Sequence, residues 1–340
     1  MLRMHVHENY PLLAYNTFGI DCTSRWFAEY GSAGELRAII SSDAFRHSSA
    51  LLVGKGSNLL FLNDFNGMVV HSAMKGVRVV EHDDDTVMID ADAGMLWDDL
   101  VAYAVENGWW GIENLSLIPG EVGAAAVQNI GAYGVELCDV LVSVTVLSLK
   151  TGQELVFPVA ECGYGYRTSI FKTTAKNEFA MLSVRMVLSR LPRPNFSYPH
   201  LEREVNMRGK ADLATIRKTI TEIRLAKLPD PAVLGNAGSF FMNPVITADH
   251  WQRLQDVYAG MPSYQLPDGR FKVPAAWLIE QCGWKGKSRG KAGVHDRQAL
   301  VLVNRGGATG QEIADLASEI QQSVADRFGI RLCPEVNYIS

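Results

Sequence analysis

The chain has 340 residues and carries 32 Lys and Arg against 37 Asp and Glu, a formal net charge of −5. Its length exceeds one small domain, and an apolar content of 47% can fill two or three cores. The charge is dispersed without a basic block, which argues against a nucleic-acid surface. No apolar run approaches the roughly twenty residues that span a bilayer, and the polar stretch from Met1 to Pro11 lacks the apolar centre of a signal peptide. The five cysteines, Cys22, Cys138, Cys162, Cys282 and Cys333, form no CxxC pair and no zinc pattern, and an odd number argues against a disulfide framework. These features predict a soluble cytoplasmic protein without a metal site, a membrane partner or a nucleic-acid partner.

In chain order, Ala50-Leu51-Leu52-Val53 reads as a buried strand, followed by the tight loop Gly54-Lys55-Gly56-Ser57-Asn58 and a second apolar run, Leu59-Leu60-Phe61. Residues 77–92 read as two alternating strands split by Asp83-Asp84-Asp85, and Leu96, Leu100, Ala104 and Val105 then share one helical face. Strands are predicted over 140–149 and 179–188. Leu213, Ile216, Ile220 and Ile223 form a helical stripe, which Lys227 would continue on the buried side. Pro229-Asp230-Pro231 is a candidate domain boundary. Ala299-Leu300-Val301-Leu302-Val303 reads as a strand. The helix carrying Ile313, Leu316, Ile320 and Val324 opens on a capping box from Thr309 to Glu312. Without regular βαβ alternation, the fold class is α+β.

Three segments carry chemistry. In Gly54-Lys55-Gly56-Ser57-Asn58, small residues directly after a strand can turn several backbone N–H groups into an anion-binding concavity, with Ser57 and Asn58 adding donors. A strand follows it, so it is neither a Walker A loop nor a Rossmann fingerprint, and a plain hairpin is the alternative. The run Ile118-Pro119-Gly120-Glu121-Val122-Gly123-Ala124-Ala125-Ala126-Val127-Gln128-Asn129-Ile130-Gly131-Ala132-Tyr133-Gly134 holds four glycines and four alanines. It is too apolar for a surface loop and too rich in glycine for a core helix, which implies close backbone approach to a flat or phosphorylated ligand, or tight domain packing. In Gly235-Asn236-Ala237-Gly238-Ser239-Phe240-Phe241-Met242-Asn243-Pro244, a serine sits among small residues and aromatics. It belongs either to a dry site or to a turn where the hydroxyl bonds local backbone.

Together with Asn16-Thr17-Phe18-Gly19, Gly165-Tyr166-Arg167-Thr168-Ser169-Ile170-Phe171-Lys172, Lys227-Leu228-Pro229-Asp230-Pro231 and Pro334-Glu335-Val336, these motifs resemble the UDP-N-acetylenolpyruvoylglucosamine reductase (UDP-N-acetylmuramate dehydrogenase) family. They follow the family's order over nearly the whole chain. Asn195-Phe196-Ser197-Tyr198 is similar to the tyrosine-bearing loop of its longer subtype, and Ala126 stands where the family often has proline.

The resemblance implies an FAD-binding domain of the vanillyl-alcohol-oxidase type, over about 24–190, in two subdomains, 1–74 and 75–228. It also implies a UDP-sugar domain over 229–328 and a tail, 329–340, that returns to the active site. It implies catalysis by Arg167, Ser239 and Glu335, with FAD and NADPH as cofactors and a UDP-sugar enolpyruvate as the small-molecule substrate. Cofactor contacts fall on Gly54, Lys55, Gly56, Ser57, Asn58, Ile118, Pro119, Gly120, Gly123, Ala124, Ala125, Gln128, Asn129, Gly131, Ala132 and Tyr133. Substrate contacts fall on Tyr166, Tyr198, Lys227, Asn243 and Gln298, and His295 is read as structural. The expected assembly is a monomer. A flavin oxidoreductase acting on another sugar or lactone, or a non-catalytic flavin- or UDP-sugar-binding protein, are the competing readings.

Overall fold

The computed structural model describes residues 6–198 and 200–340, leaving residues 1–5 of the polar N-terminal stretch and Pro199 outside the description. The chain gathers into two compact units. The first comprises residues up to Tyr10, Ser24–Lys55 and Asn66–Ala226, and the second Pro11–Thr23, Gly56–Phe65 and Lys227–Ser340.

Two sheets and several helices build the first unit. One sheet runs in the order Val6–Pro11, Thr23–Tyr30, Phe65–Ser72, Ser49–Val53. Ser49–Val53 pairs in parallel with Phe65–Ser72, with Val53 opposite His71. Gly54 onwards is therefore a crossover rather than a hairpin, because parallel partners need a longer connection. The other sheet is antiparallel throughout, in the order Glu154–Pro158, Leu141–Ser148, Phe179–Ser189, Thr86–Asp92, Val77–His82. The acidic turn between its last two strands is closed by Asp83, whose Oδ1 accepts from the backbone N–H of Asp85 at 2.9 Å and of Thr86 at 2.6 Å. Val87, Ile89 and Ala91 alternate inward to meet the helix Trp97–Glu106. That helix starts one residue later than its predicted stripe and buries Trp97, Leu100, Val101 and Ala104. Trp97 donates its indole N–H to the Leu115 carbonyl at 2.9 Å. The glycine- and alanine-rich run, read as too rich in glycine for a core helix, contains a short one, Val122–Gln128, packed on the strand Phe179–Ser189. The helix Leu213–Lys227 buries Leu213, Ile216 and Ile220 as its stripe predicts. Arg224, half-buried with its Nε enclosed, continues that side, whereas Lys227, expected there, is exposed at the helix's last residue, where no further turn covers it.

In the second unit, one sheet runs Gly235–Ser239, Val301–Asn304, Ala292–Val294, Ser288–Arg289. A smaller sheet joins Val245–Ile246, Phe271–Lys272 and Tyr264–Gln265, and Leu59–Phe61 pairs in parallel with Asn337–Ile339. The helix Gly310–Phe328 buries Ile313, Leu316, Ile320 and Val324. Its capping box is complete: Thr309 accepts from the Glu312 N–H, and the Glu312 carboxylate accepts from the Thr309 N–H at 2.8 Å. The early segment is tied in by Asn16, buried, which donates to the Leu12 and Ile20 carbonyls at 2.9 and 3.0 Å, and by Asn304, which donates to the Phe18 carbonyl at 2.9 Å.

All five cysteines are free. Among the described residues no helix is long and apolar enough to cross a membrane, and no group of three metal-ligating side chains occurs.

Candidate active site

Within the first unit, Gly54 lies against the second glycine-rich segment. A Cβ placed on Gly54 would lie 2.9 Å from Glu121 Oε2 and 3.5 Å from the Ala124 Cβ, so a larger residue fits only if the Glu121 carboxylate moves aside. Ala124 and Pro119 are exposed and Ile118 and Gly120 half-buried, although the stretch is almost entirely apolar. Leu117 at φ 58°, Asn129 at φ 49° and Tyr133 at φ 49° bend the backbone on either side of the short helix. Beside this loop Asn114 donates to the Tyr133 carbonyl at 2.8 Å and the Asn195 carbonyl at 2.9 Å, while its Oδ1 is buried without a hydrogen-bond partner. The Nε of Arg224 is buried in the same state. Orphaned buried polar atoms of both signs next to exposed small residues fit a flavin nucleotide, whose hydroxyls and pyrophosphate can satisfy them.

Arg167 stands at the tip of a two-residue turn, where Gly165 and Thr168 exchange both backbone hydrogen bonds at 3.1 Å. Its φ of 56° is left-handed, a conformation costing a residue with a Cβ about 1–2 kcal/mol. The guanidinium holds the turn in place: Nη2 donates to the Gly131 carbonyl at 2.5 Å and Nη1 to the Asn129 carbonyl at 3.4 Å. The same group lies 5.6 Å from the centroid of the exposed Tyr166 ring. Arg224 is a second cation within electrostatic reach of Arg167 and bonds the Tyr133 hydroxyl; burial pulls its pKa down. Tyr133 stacks edge-on with Tyr198, ring centroids 5.0 Å apart. Arg224 was not singled out in the sequence, although its place four residues after Ile220 continues the apolar stripe.

The second unit carries Ser239 and Glu335. Asn236 Oδ1 accepts from the Gly238 N–H at 2.9 Å, and a bulge between Asn236 and Ser239 leaves Ser239 exposed. Phe240 and Phe241, by contrast, are buried and make an edge contact with each other, and Phe240 makes another with Phe18. The backbone after the serine pairs with the C-terminal tail. Glu335 N–H donates to the Phe240 carbonyl at 2.8 Å, Met242 N–H donates to the Cys333 carbonyl at 2.9 Å, and Phe241 bridges Pro334. The segments carrying Ser239 and Glu335, nearly a hundred positions apart in sequence, therefore run side by side through their backbones. Asn58 joins them, donating to the Glu335 carbonyl at 3.2 Å and accepting from the Asn337 N–H at 3.0 Å.

Several predicted contacts already have structural duties. Asn129, at the left-handed C-cap of the short helix, is fully buried. Its amide donates to Glu136 at 2.9 Å and to the Gly165 carbonyl at 3.0 Å, and its Oδ1 accepts from the Cys138 N–H. Gln128 accepts from Lys172 at 3.3 Å. Asn243 Oδ1 accepts from the Ala275 N–H at 2.9 Å at the start of the helix Ala275–Gln281, and Gln298 Oε1 accepts from the Leu300 N–H at 3.3 Å. Lys55 and Tyr198 are exposed, and Gly131 and Ala132 lie half-buried in a short strand. His295 is buried, with its backbone N–H on the Val301 carbonyl.

Residues 25–157 match the FAD binding domain family, and residues 230–339 match the family described as UDP-N-acetylenolpyruvoylglucosamine reductase, C-terminal domain. A Bacteroides fragilis protein named UDP-N-acetylenolpyruvoylglucosamine reductase is 48% identical over 98% of this chain and 100% of its own length. One of the same name from Porphyromonas gingivalis is 47% identical over 99% of this chain and 100% of its own, and one from Burkholderia ambifaria is 46% identical over 96% and 95%. A crystal structure of the enzyme of this name from Thermus caldophilus superposes with a TM-score of 0.68 over both whole chains at 22% identity, a likeness of fold.

Proposed function

The chain belongs to the UDP-N-acetylenolpyruvoylglucosamine reductase family, and from that premise we propose that this FAD-dependent enzyme uses NADPH to reduce UDP-N-acetylglucosamine enolpyruvate to UDP-N-acetylmuramate. The product is a peptidoglycan precursor. The reading assigns the work to a cytoplasmic monomer that serves cell-wall growth, cell shape and division. Bound FAD supplies the hydride chemistry that the side chains cannot.

The segments from Gly54 to Asn58 and from Ile118 to Tyr133 would hold the cofactor, with Gly54 and Ala124 leaving room for it and Asn114 and Arg224 meeting its polar groups. On the substrate, hydride addition to the enolpyruvyl terminus pushes negative charge onto the neighbouring carbon and its carboxylate. Arg167 answers that charge with a guanidinium that stays protonated and forks onto two oxygens. Its fixation on the Gly131 and Asn129 carbonyls means that little reorientation is needed. One such donor is worth roughly 3 kcal/mol of barrier. Ser239 delivers a proton to the carbanionic carbon, and Glu335 helps hold the carboxylate end and stabilise the enol. Tyr166, Tyr198, Lys227, Asn243 and Gln298 are assigned to the UDP-sugar. The nucleotide portion of the substrate falls to Tyr198 and Lys227, both exposed, in keeping with an open face for a large ligand.

The observation that carries this reading is the backbone pairing that brings the Glu335 tail to the Ser239 bulge. Stopped-flow absorbance on Ser239→Ala tests it. Flavin reduction by NADPH is expected at the wild-type rate, and reoxidation by the enolpyruvyl substrate slower by several orders of magnitude. Equal slowing of both halves would refute the proton-donor role.

A further inference from the structure

His71 is the next-to-last residue of the strand Phe65–Ser72, deep in the first unit, its side chain 6% exposed. Nδ1 lies 2.8 Å from Glu29 Oε1, and Nε2 lies 3.1 and 3.2 Å from the two Glu121 oxygens. Each ring nitrogen thus faces a carboxylate. A neutral imidazole has only one N–H, so one nitrogen would turn its lone pair toward an anion. The arrangement needs a second proton, and on the ring that proton makes a charge-assisted bond to both partners. Burial opposes the charge most strongly, but bonding and attraction from Glu121 and Glu29 outweigh it, so the net displacement of the His71 pKa is upward.

What this buried ion holds is not random. Glu121, whose side chain is 3% exposed, immediately precedes the helix Val122–Gln128, yet it caps none of that helix's N–H groups. Its carboxylate instead fills the gap between His71 and Gly54, the residue following Val53, which pairs with His71. Tyr30 also faces Glu121, and its hydroxyl donates to the Met181 carbonyl at 3.2 Å. A carboxylate of the second glycine-rich segment therefore lies against the start of the first, and one imidazole fixes that carboxylate.

We propose that His71 and Glu121 are positioning residues for the cofactor, a buried brace that sets the spacing of the two glycine-rich segments and thereby the affinity for FAD. The inference rests on the assignment of those segments to the flavin. Deprotonating the ring leaves a buried carboxylate opposite a lone pair, and the carboxylate must then shift, carrying Gly54 and the helix start with it. The brace is complete below the ordinary imidazole pKa of about 6.5 and is lost as pH rises through the higher value of the folded protein.

The test titrates apoprotein with FAD, following quenching of flavin fluorescence from about pH 6 to about pH 9, the range that brackets an upshifted imidazole. The wild-type Kd is expected to weaken about tenfold across the range, the worth of one charge-assisted hydrogen bond. Glu121→Gln, which can bond a neutral ring, should give a flat profile. His71→Gln should bind FAD about tenfold more weakly than wild type at the acid end. A purely architectural role would lower thermal stability without removing the pH slope. Glu121→Gln that keeps the wild-type slope, or His71→Gln with native circular dichroism and wild-type Kd, overturns the inference alone. Wild-type protein that takes up no FAD overturns the assignment of the segments and the brace with it.

Discussion

Gly56→Ala should be among the most damaging single-methyl changes in the second unit. Gly56 is buried at φ 63°, and an added Cβ would stand 1.9 Å from the Tyr15 carbonyl oxygen and 2.8 Å from the Asn16 Cα. Both obstacles are backbone and cannot rotate away. The Asn16 backbone is itself fixed by that residue's bonds to Leu12 and Ile20, and the Thr17 N–H reaches the Gly56 carbonyl at 3.3 Å. The left-handed angle costs about 1–2 kcal/mol for a residue with a Cβ, and forcing the turn apart adds about 1–3 kcal/mol. Together, about 2–5 kcal/mol corresponds, for a chain of this length, to a Tm loss of roughly 3–7 °C. Gly269→Ala supplies the control: its φ is 82°, but nothing lies within 4 Å of the added Cβ, so only the angle is penalised. Thermal melts by circular dichroism, with and without added FAD, compare the two. Equal losses would show that the close approach to Tyr15 carries no energy and would refute the reasoning.

Two further outcomes follow from the same geometry. Asp98 receives Arg217 bidentately at 2.7 and 2.9 Å and the Leu117 N–H. Burial raises its pKa, but these bonds and the charges of Arg217 and Arg224 bring the net value below normal. Its contribution is thus present above the unfolded pKa of about 3.9 and lost as pH falls through the folded value. Asp98→Asn should cost roughly 1–2 kcal/mol at neutral pH and flatten the acid limb of the Tm profile, and an unchanged acid limb would contradict the assignment. Thr309→Ala breaks the capping box and should destabilise by about 1 kcal/mol in urea melts, with Thr309→Ser recovering most of the loss.

Features legible in the sequence were the local ones. The Thr309–Glu312 box, the Asp83 turn and the Leu213-Ile216-Ile220 stripe depend on residues within a turn or two of each other. The family was legible too, because several short motifs kept their order. Less visible were features set by distant partners. Leu59–Phe61 looked like the return arm of a hairpin, yet its mate is Asn337–Ile339. Asn58 looked like an anion donor, yet its amide reaches the Glu335 carbonyl. The stripe allowed either Arg224 or Lys227 to be buried; the helix ends at Lys227, and only Arg224 has Tyr133 to receive it. A seven-residue helix inside a run of glycine and alanine owes its existence to packing on the strand Phe179–Ser189, a contribution that propensity does not contain.

The second unit draws on three separated stretches of chain. A fragment cut to the C-terminal family match, 230–339, would lack the Phe18 carbonyl that receives Asn304 and the strand Leu59–Phe61 that aligns Asn337–Ile339. Such a fragment should be protease-sensitive when expressed alone and should recover resistance only when the two early peptides are supplied. During translation those peptides emerge long before their mates, so ribosome-bound intermediates must wait with Phe18 and Phe61 uncovered, the interval in which a chaperone has most to protect.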